Sequence, residues 1–171
     1  MSYKVADGPQ TLFSEQTLQL TVCPDGYVQG GVTLASGARL ANGAKENAAT
    51  VFGDVTATGT GATLAGPFKF AGGTLAFRNV APNTADLESV LAFENPAADM
   101  LADVDAISVD FASNMTRSTV TVCPTYGLSD EDAVAKLTVS VAGEPAEHIR
   151  VKVENGYLTI RNTKGTLVIF R

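Results

Sequence analysis

No tryptophan, one histidine and two cysteines occur in the 171 residues of this chain, and each scarcity removes a class of chemistry. Cys23 and Cys123 stand far apart with no Cys-x-x-Cys spacing, so they make a poor metal site, and a cytoplasmic origin disfavours a disulfide. Both are expected to be free, half-buried thiols. His148 has Glu147 beside it, but no nucleophile motif surrounds any serine or cysteine, so it reads as an ordinary residue opening a strand. The phosphate-loop, dinucleotide-binding and zinc-protease patterns are missing. The glycine-rich "TGTGATLAG" at 58–66 has no helical pattern behind it whose N-terminus would hold a phosphate. No catalytic residue, cofactor or metal is assigned.

Long apolar runs are missing as well. None approaches the ~18 residues of a membrane span, and the opening "MSYKVADGPQ" lacks the charged and apolar regions of a signal peptide. A protein made in the cytoplasm is expected. Positive charge is in short supply, with 12 Lys and Arg against 18 Asp and Glu and a net charge of −6. That balance repels a phosphate backbone, so neither nucleic acid nor membrane is an expected partner.

What is present is alternation. "TLQLTV" at 17–22, "DVTAT" at 54–58, "TLAF" at 74–77, "STVTV" at 118–122, "KLTVSV" at 136–141, "HIRVKV" at 148–153 and "YLTI" at 157–160 place apolar residues on one side. This is the mark of strands with one buried face. Asp25-Gly26, Gly72-Gly73, Gly143-Glu144-Pro145 and Asn155-Gly156 supply turn chemistry. Helix is expected only as short connectors, one from Asn95 and Pro96 and one capped by Ser129. Residues 35–50 read as a surface excursion without a period. The expected fold is all-β: an antiparallel β-sandwich or flattened barrel of about ten short strands. The expected layout is an N-terminal arm over 1–16 and one β domain over 17–171.

A possible duplication overlies this layout. "FKFAGGTLAFRN" at 68–79 and "VKVENGYLTIRN" at 151–162 share five of twelve residues. "TVCP" occurs at 21–24 and 121–124, and apolar "SVLAF" at 89–93 matches "TLVIF" at 166–170. Colinearity suggests two related halves, 17–94 and 117–171, joined by an acidic connector over 95–116. Alternation alone also makes any two hairpins alike.

Charge is unevenly spread. Between Arg78 and Arg117 there are acids but no base, and Asp99, Asp103 and Asp105 lie in that run. No regular array suits them to Ca²⁺, so a solvated acidic face is expected. Arg150, Lys152, Arg161, Lys164 and Arg171 form a basic counterpart, with Arg150, Lys152 and Arg161 on one face of the expected hairpin. These eight residues are the candidate interaction sites, pairing inside the fold or between copies.

A small, acidic chain rich in Ala, Gly, Thr and Val, without a secretion signal, loosely resembles the head-decoration and tail proteins of tailed bacteriophages. The resemblance is compositional, and no residue role is carried over with it. It implies a non-enzymatic structural protein of a virion, a decoration (cement) or tail component, acting through protein-protein contacts. Its partners would be copies of itself, as a homo-oligomer, or a capsid or tail shell protein. The alternative is a carbohydrate- or ligand-binding β module, with Tyr3, Tyr27, Tyr126 and Tyr157 as its available rings.

Overall fold

The computed structural model describes residues 10–12, 19–22, 26–44 and 46–164. Their strands are mostly parallel and wind into a coil. The coil opens on β1 (Gln10–Leu12), and its first turn from there runs through β2 (Gln19–Val22), β3 (Tyr27–Val28) and β4 (Val32–Leu34), which lies one turn from β1. The second holds β5 (Arg39–Asn42), β6 (Ala49–Val51) and β7 (Val55–Thr58), and the third β8 (Ala62–Ala65), β9 (Phe68–Phe70) and β10 (Thr74–Val80). Then come β11 (Leu91–Glu94) and β12 (Ala106–Phe111), and later β14 (Leu137–Val141) closes the stack. Each strand pairs with its counterpart one turn away, giving parallel sheets in the orders β1-β4-β7-β10-β12-β14, β11-β8-β5-β2 and β3-β6-β9. The protein is a three-sided β-helix.

The core lies inside the coil as in-register ladders. Val32, Val55, Leu75, Ile107 and Leu137 stack one above another, and all five are buried. Leu34, Ala57, Phe77 and Val109 form a second buried stack on the same sheet. Thr33, Thr56, Ser108 and Thr138 occupy the outward positions between them. Strands of three or four residues suffice because each wall is short and a glycine corner turns the chain into the next one. At the corner before β7 and β10, a Cβ on Gly53 would sit 2.2 Å from the Gly30 carbonyl oxygen. One on Gly73 would lie 2.5 Å from that of Gly53. Only glycine permits this approach.

The turns differ in length. Val32 to Val55 is a step of 23 residues and Val55 to Leu75 one of 20, whereas Leu75 to Ile107 is 32 and Ile107 to Leu137 is 30. The extra residues build a cap. They include a 3-10 turn, Leu87–Ser89, and the strand β13 (Thr119–Pro124). Helix α1 (Asp130–Lys136) follows, with the Ser129 hydroxyl accepting from the Asp132 N–H at 3.1 Å. After β14 the chain folds back as β15 (Glu144–Pro145), then forms the hairpin β16 (Ile149–Glu154) and β17 (Tyr157–Asn162). The hairpin and β13 make the antiparallel sheet β13-β17-β16, and α1 packs against β16.

Several expectations are corrected. The fold is not an antiparallel sandwich or barrel, and there are seventeen strands among the described residues. Alternation reports that one face is buried, which antiparallel sheets usually show, but a coil achieves it with parallel strands around an internal core. "FKFAGGTLAFRN" is no hairpin, since β9 and β10 lie in two different sheets, while "VKVENGYLTIRN" is one, with Asn155 and Gly156 at φ 53° and 78°. The two "TVCP" runs also differ: Thr21 and Val22 pair in parallel with β5, and Thr121 to Pro124 pair antiparallel with β17. Residues 35–50 are not an excursion, because they hold β5 and the start of β6. Asn95 takes a φ of 51° and opens a turn, not a helix. Of the expected arm, Gln10–Leu12 is a coil strand, and the rest lies outside the described residues, as do Cys23, the strand at 166–170 and Arg171. No helix among the described residues is long and apolar enough to cross a membrane.

Candidate functional site

Two stretches of extra chain meet at the cap. The first is the loop between β10 and β11. Asp86 caps its 3-10 turn, with its Oδ1 accepting from the Glu88 N–H at 2.9 Å, and Leu87 is buried beneath. Burying Leu87 fixes the turn and leaves the Asp86 and Glu88 side chains exposed. The second stretch is β13, joined to that loop where the Thr121 N–H donates to the Ala85 carbonyl at 2.9 Å.

A β-bulge between Thr121 and Cys123 breaks the alternation of β13. Val122 and Cys123 are both buried as a result, which corrects the expectation of a half-buried thiol at Cys123. Burial pushes the Cys123 thiol up to about 12, so it stays protonated and is a poor nucleophile near neutral pH.

Beyond Pro124 the chain turns sharply. Tyr126 is held in the left-handed region at φ 43°, and the Leu101 N–H donates to its carbonyl at 2.9 Å. Gly127 follows so close to Asp99 that a Cβ would meet the Asp99 Cα at 2.8 Å. The Tyr126 ring is therefore seated by the coil beneath it, and it meets Phe93 edge-on at 5.5 Å between centroids. Burial, with the nearby Cys123, Tyr157 and Glu88 groups adding to it, pushes the Tyr126 phenol up to about 12. Across the sheet, Tyr157 pairs with Pro124 and Glu154 and keeps 46% of its surface exposed.

These elements enclose a cleft in two parts. A slot of about 90 Å³ is lined by Phe93, Val122, Cys123, Pro124 and Tyr126, with Asp86, Glu88, Thr121 and Tyr157 at its sides. The last four also line a trough of about 450 Å³, completed by Thr119, Glu154, Asn155 and Thr159. Glu154 is held by Lys152 and by Arg161 at 3.0 Å, and the Lys152 ammonium foremost keeps its carboxyl below the usual range. Asp86 and Glu88 have no ion-pair partner among the described residues.

The sequence candidates are not brought together. Arg150 stands opposite Arg161 on the exposed face of the hairpin, and Lys152 and Arg161 are paired locally with Glu154. Lys164 is exposed and lines a different hollow with His148 and Glu147. Asp99 pairs with Lys69 at 2.6 Å. The Asp105 carboxylate accepts from the Gly73 N–H at 2.8 Å, so it fastens a coil corner. The Asp103 carbonyl accepts from the Gly72 N–H at 2.9 Å. No acid of the 99–105 run meets the basic hairpin among the described ion pairs. Among the described residues, no cluster of His, Cys, Asp and Glu is arranged to hold a metal.

The residues of the cleft lie at 86–93, 119–126 and 154–159, and no local spacing ties these stretches together. Asp86 and Glu88 read in the sequence as members of an acidic run, and Tyr126 and Tyr157 as scarce rings. Among protein-family models, curated proteins and solved structures, none matches this chain.

Proposed function

We propose that the chain works without catalysis, as a structural and interaction component of a larger assembly: a coiled shaft whose cap is the recognition surface. The observation that carries this reading is the division of labour along the chain. The two short turns are filled with stacked apolar side chains, and the added length of the next two goes into a cap that displays rings and carboxylates with no ion-pair partner among the described residues. The buried, protonated Cys123 thiol and the placement of His148 in a separate hollow favour binding over acid–base or nucleophilic chemistry. The compositional resemblance to head-decoration and tail proteins gives the reading a specific form, that of a virion component.

Native purification from the source, followed by cross-linking mass spectrometry, tests it. The expected result is migration well above monomer size, with cross-links from Lys152 or Lys164 beside the cap to a second protein or a second copy. A strictly monomeric species without cross-links overturns it.

A further inference from the structure

The slot suits one kind of ligand group. Three rings, Phe93, Tyr126 and Tyr157, line it together with Asp86 and Glu88. Among the described residues no lysine, arginine or histidine lines the slot or the trough, and the bases Lys152 and Arg161 are taken up by Glu154 of the trough. An anion entering it meets two uncompensated carboxylates, and a neutral group leaves them uncompensated. A cation is favoured twice, by the carboxylates and by the aromatic lining, whose ring quadrupoles attract positive charge. The ring contribution counts most for a cation whose charge is spread over carbon substituents, because a bare ammonium or sodium ion gives up more hydration on entering. The site is also set in advance, since Phe93 and Tyr126 brace each other edge-on and Gly127 seats the turn on Asp99.

We propose that this slot binds an alkylated ammonium group, with Phe93, Tyr126 and Tyr157 around its carbon substituents and Asp86 and Glu88 as counter-charge. The proposal rests on the reading of the cap as a recognition surface and specifies the chemistry recognised there. The same group occurs on a methylated lysine of a partner protein and on a free choline-like amine.

Calorimetric titration of the full chain with tetramethylammonium, choline and an N-acetyl trimethyllysine amide, against the neutral choline isostere 3,3-dimethyl-1-butanol, tests it. The three cations are expected to bind and the isostere to bind ~10-fold more weakly or not at all. Tyr157→Ala, and separately Asp86→Asn combined with Glu88→Gln, are each expected to weaken choline ~10-fold. Tyr157→Phe keeps the ring and retains binding. Asn at position 86 keeps an oxygen to cap the turn, and unchanged thermal unfolding of each variant excludes a folding defect. Tighter binding of the lysine derivative than of choline assigns the group to a protein partner, and the reverse assigns it to a free amine. Equal binding of choline and its isostere, or no saturable binding of any ammonium probe, overturns the proposal while leaving the assembly reading intact. Ammonium binding by a chain that shows no cross-linked partner sinks the assembly reading alone.

Discussion

Gly73 and Gly156 occupy matching places in two nearly matching stretches, each with Lys four residues before, Leu two after and Arg-Asn five and six after. Both hold positive φ, 72° and 78°. Around Gly73 a Cβ would lie 2.5 Å from a backbone oxygen of the neighbouring turn, and around Gly156 nothing comes within 4 Å. The difference is between a corner stacked on another corner and a hairpin turn facing solvent. Backbone conformation alone does not distinguish coil from cap; the neighbour one turn away does.

Substitution separates these contributions. Gly53→Ala, where a Cβ would come within 2.2 Å of the Gly30 oxygen, is expected to destabilise the chain by about 4 kcal/mol or more in urea unfolding. Phe77→Ala, deep in the coil, is expected to cost about 3–5 kcal/mol by the same measurement. Gly156→Ala meets only the conformational penalty of a left-handed residue, about 1–2 kcal/mol, and a cost equal to that of Gly53→Ala would erase the comparison. Ser129→Ala removes the cap of α1 and is expected to lower stability by about 1 kcal/mol.

The smallest effect is expected in acid. The Ser140 hydroxyl at 2.5 Å, assisted by the Gly143 N–H and the charge of Arg78, holds the Asp110 carboxyl below its ordinary value of 3.8. A group depressed in the folded state stabilises above its unfolded value, and that contribution is lost as pH falls through the folded one. Stability should therefore fall below about pH 4, and Asp110→Asn should flatten that limb in thermal melts taken across the acid range. An unchanged limb would mean that the Ser140 and Gly143 contacts do not govern it.

Much of the local layer was legible. The period of two marks the inward side chains of β7 and of Thr119–Val122 in β13, and Leu75, Phe77, Leu158 and Ile160 in β10 and β17, while missing the buried Ala76, Cys123 and Thr159; the Ser129 cap marks α1. Pairing was not legible from alternation, because alternation names a face without naming the neighbour. A signal of the coil does exist in the spacing of Gly30, Gly53 and Gly73, each followed two residues later by Val32, Val55 or Leu75. Its intervals of 23 and 20 residues are unequal, and the following turns add about ten more, which hides the period from a fixed-offset comparison. The site was less legible still. It depends on a bulge that turns Cys123 inward, and on two loops that meet only because the coil stacks their anchor strands.

The two-residue strand β15 has a consequence for growth. A stack of parallel strands is a template, and its last strand ordinarily offers a row of open hydrogen-bonding groups to the next molecule. Here Glu144 and Pro145 fold back along β14, pairing Ser140 with Pro145 and Val141 with Glu144, and Pro145 has no N–H to offer onward. Over Ser140 and Val141 the β14 end of that sheet is thus chain-terminated in the polymer chemist's sense: the chain's own two residues occupy the place where another strand would add.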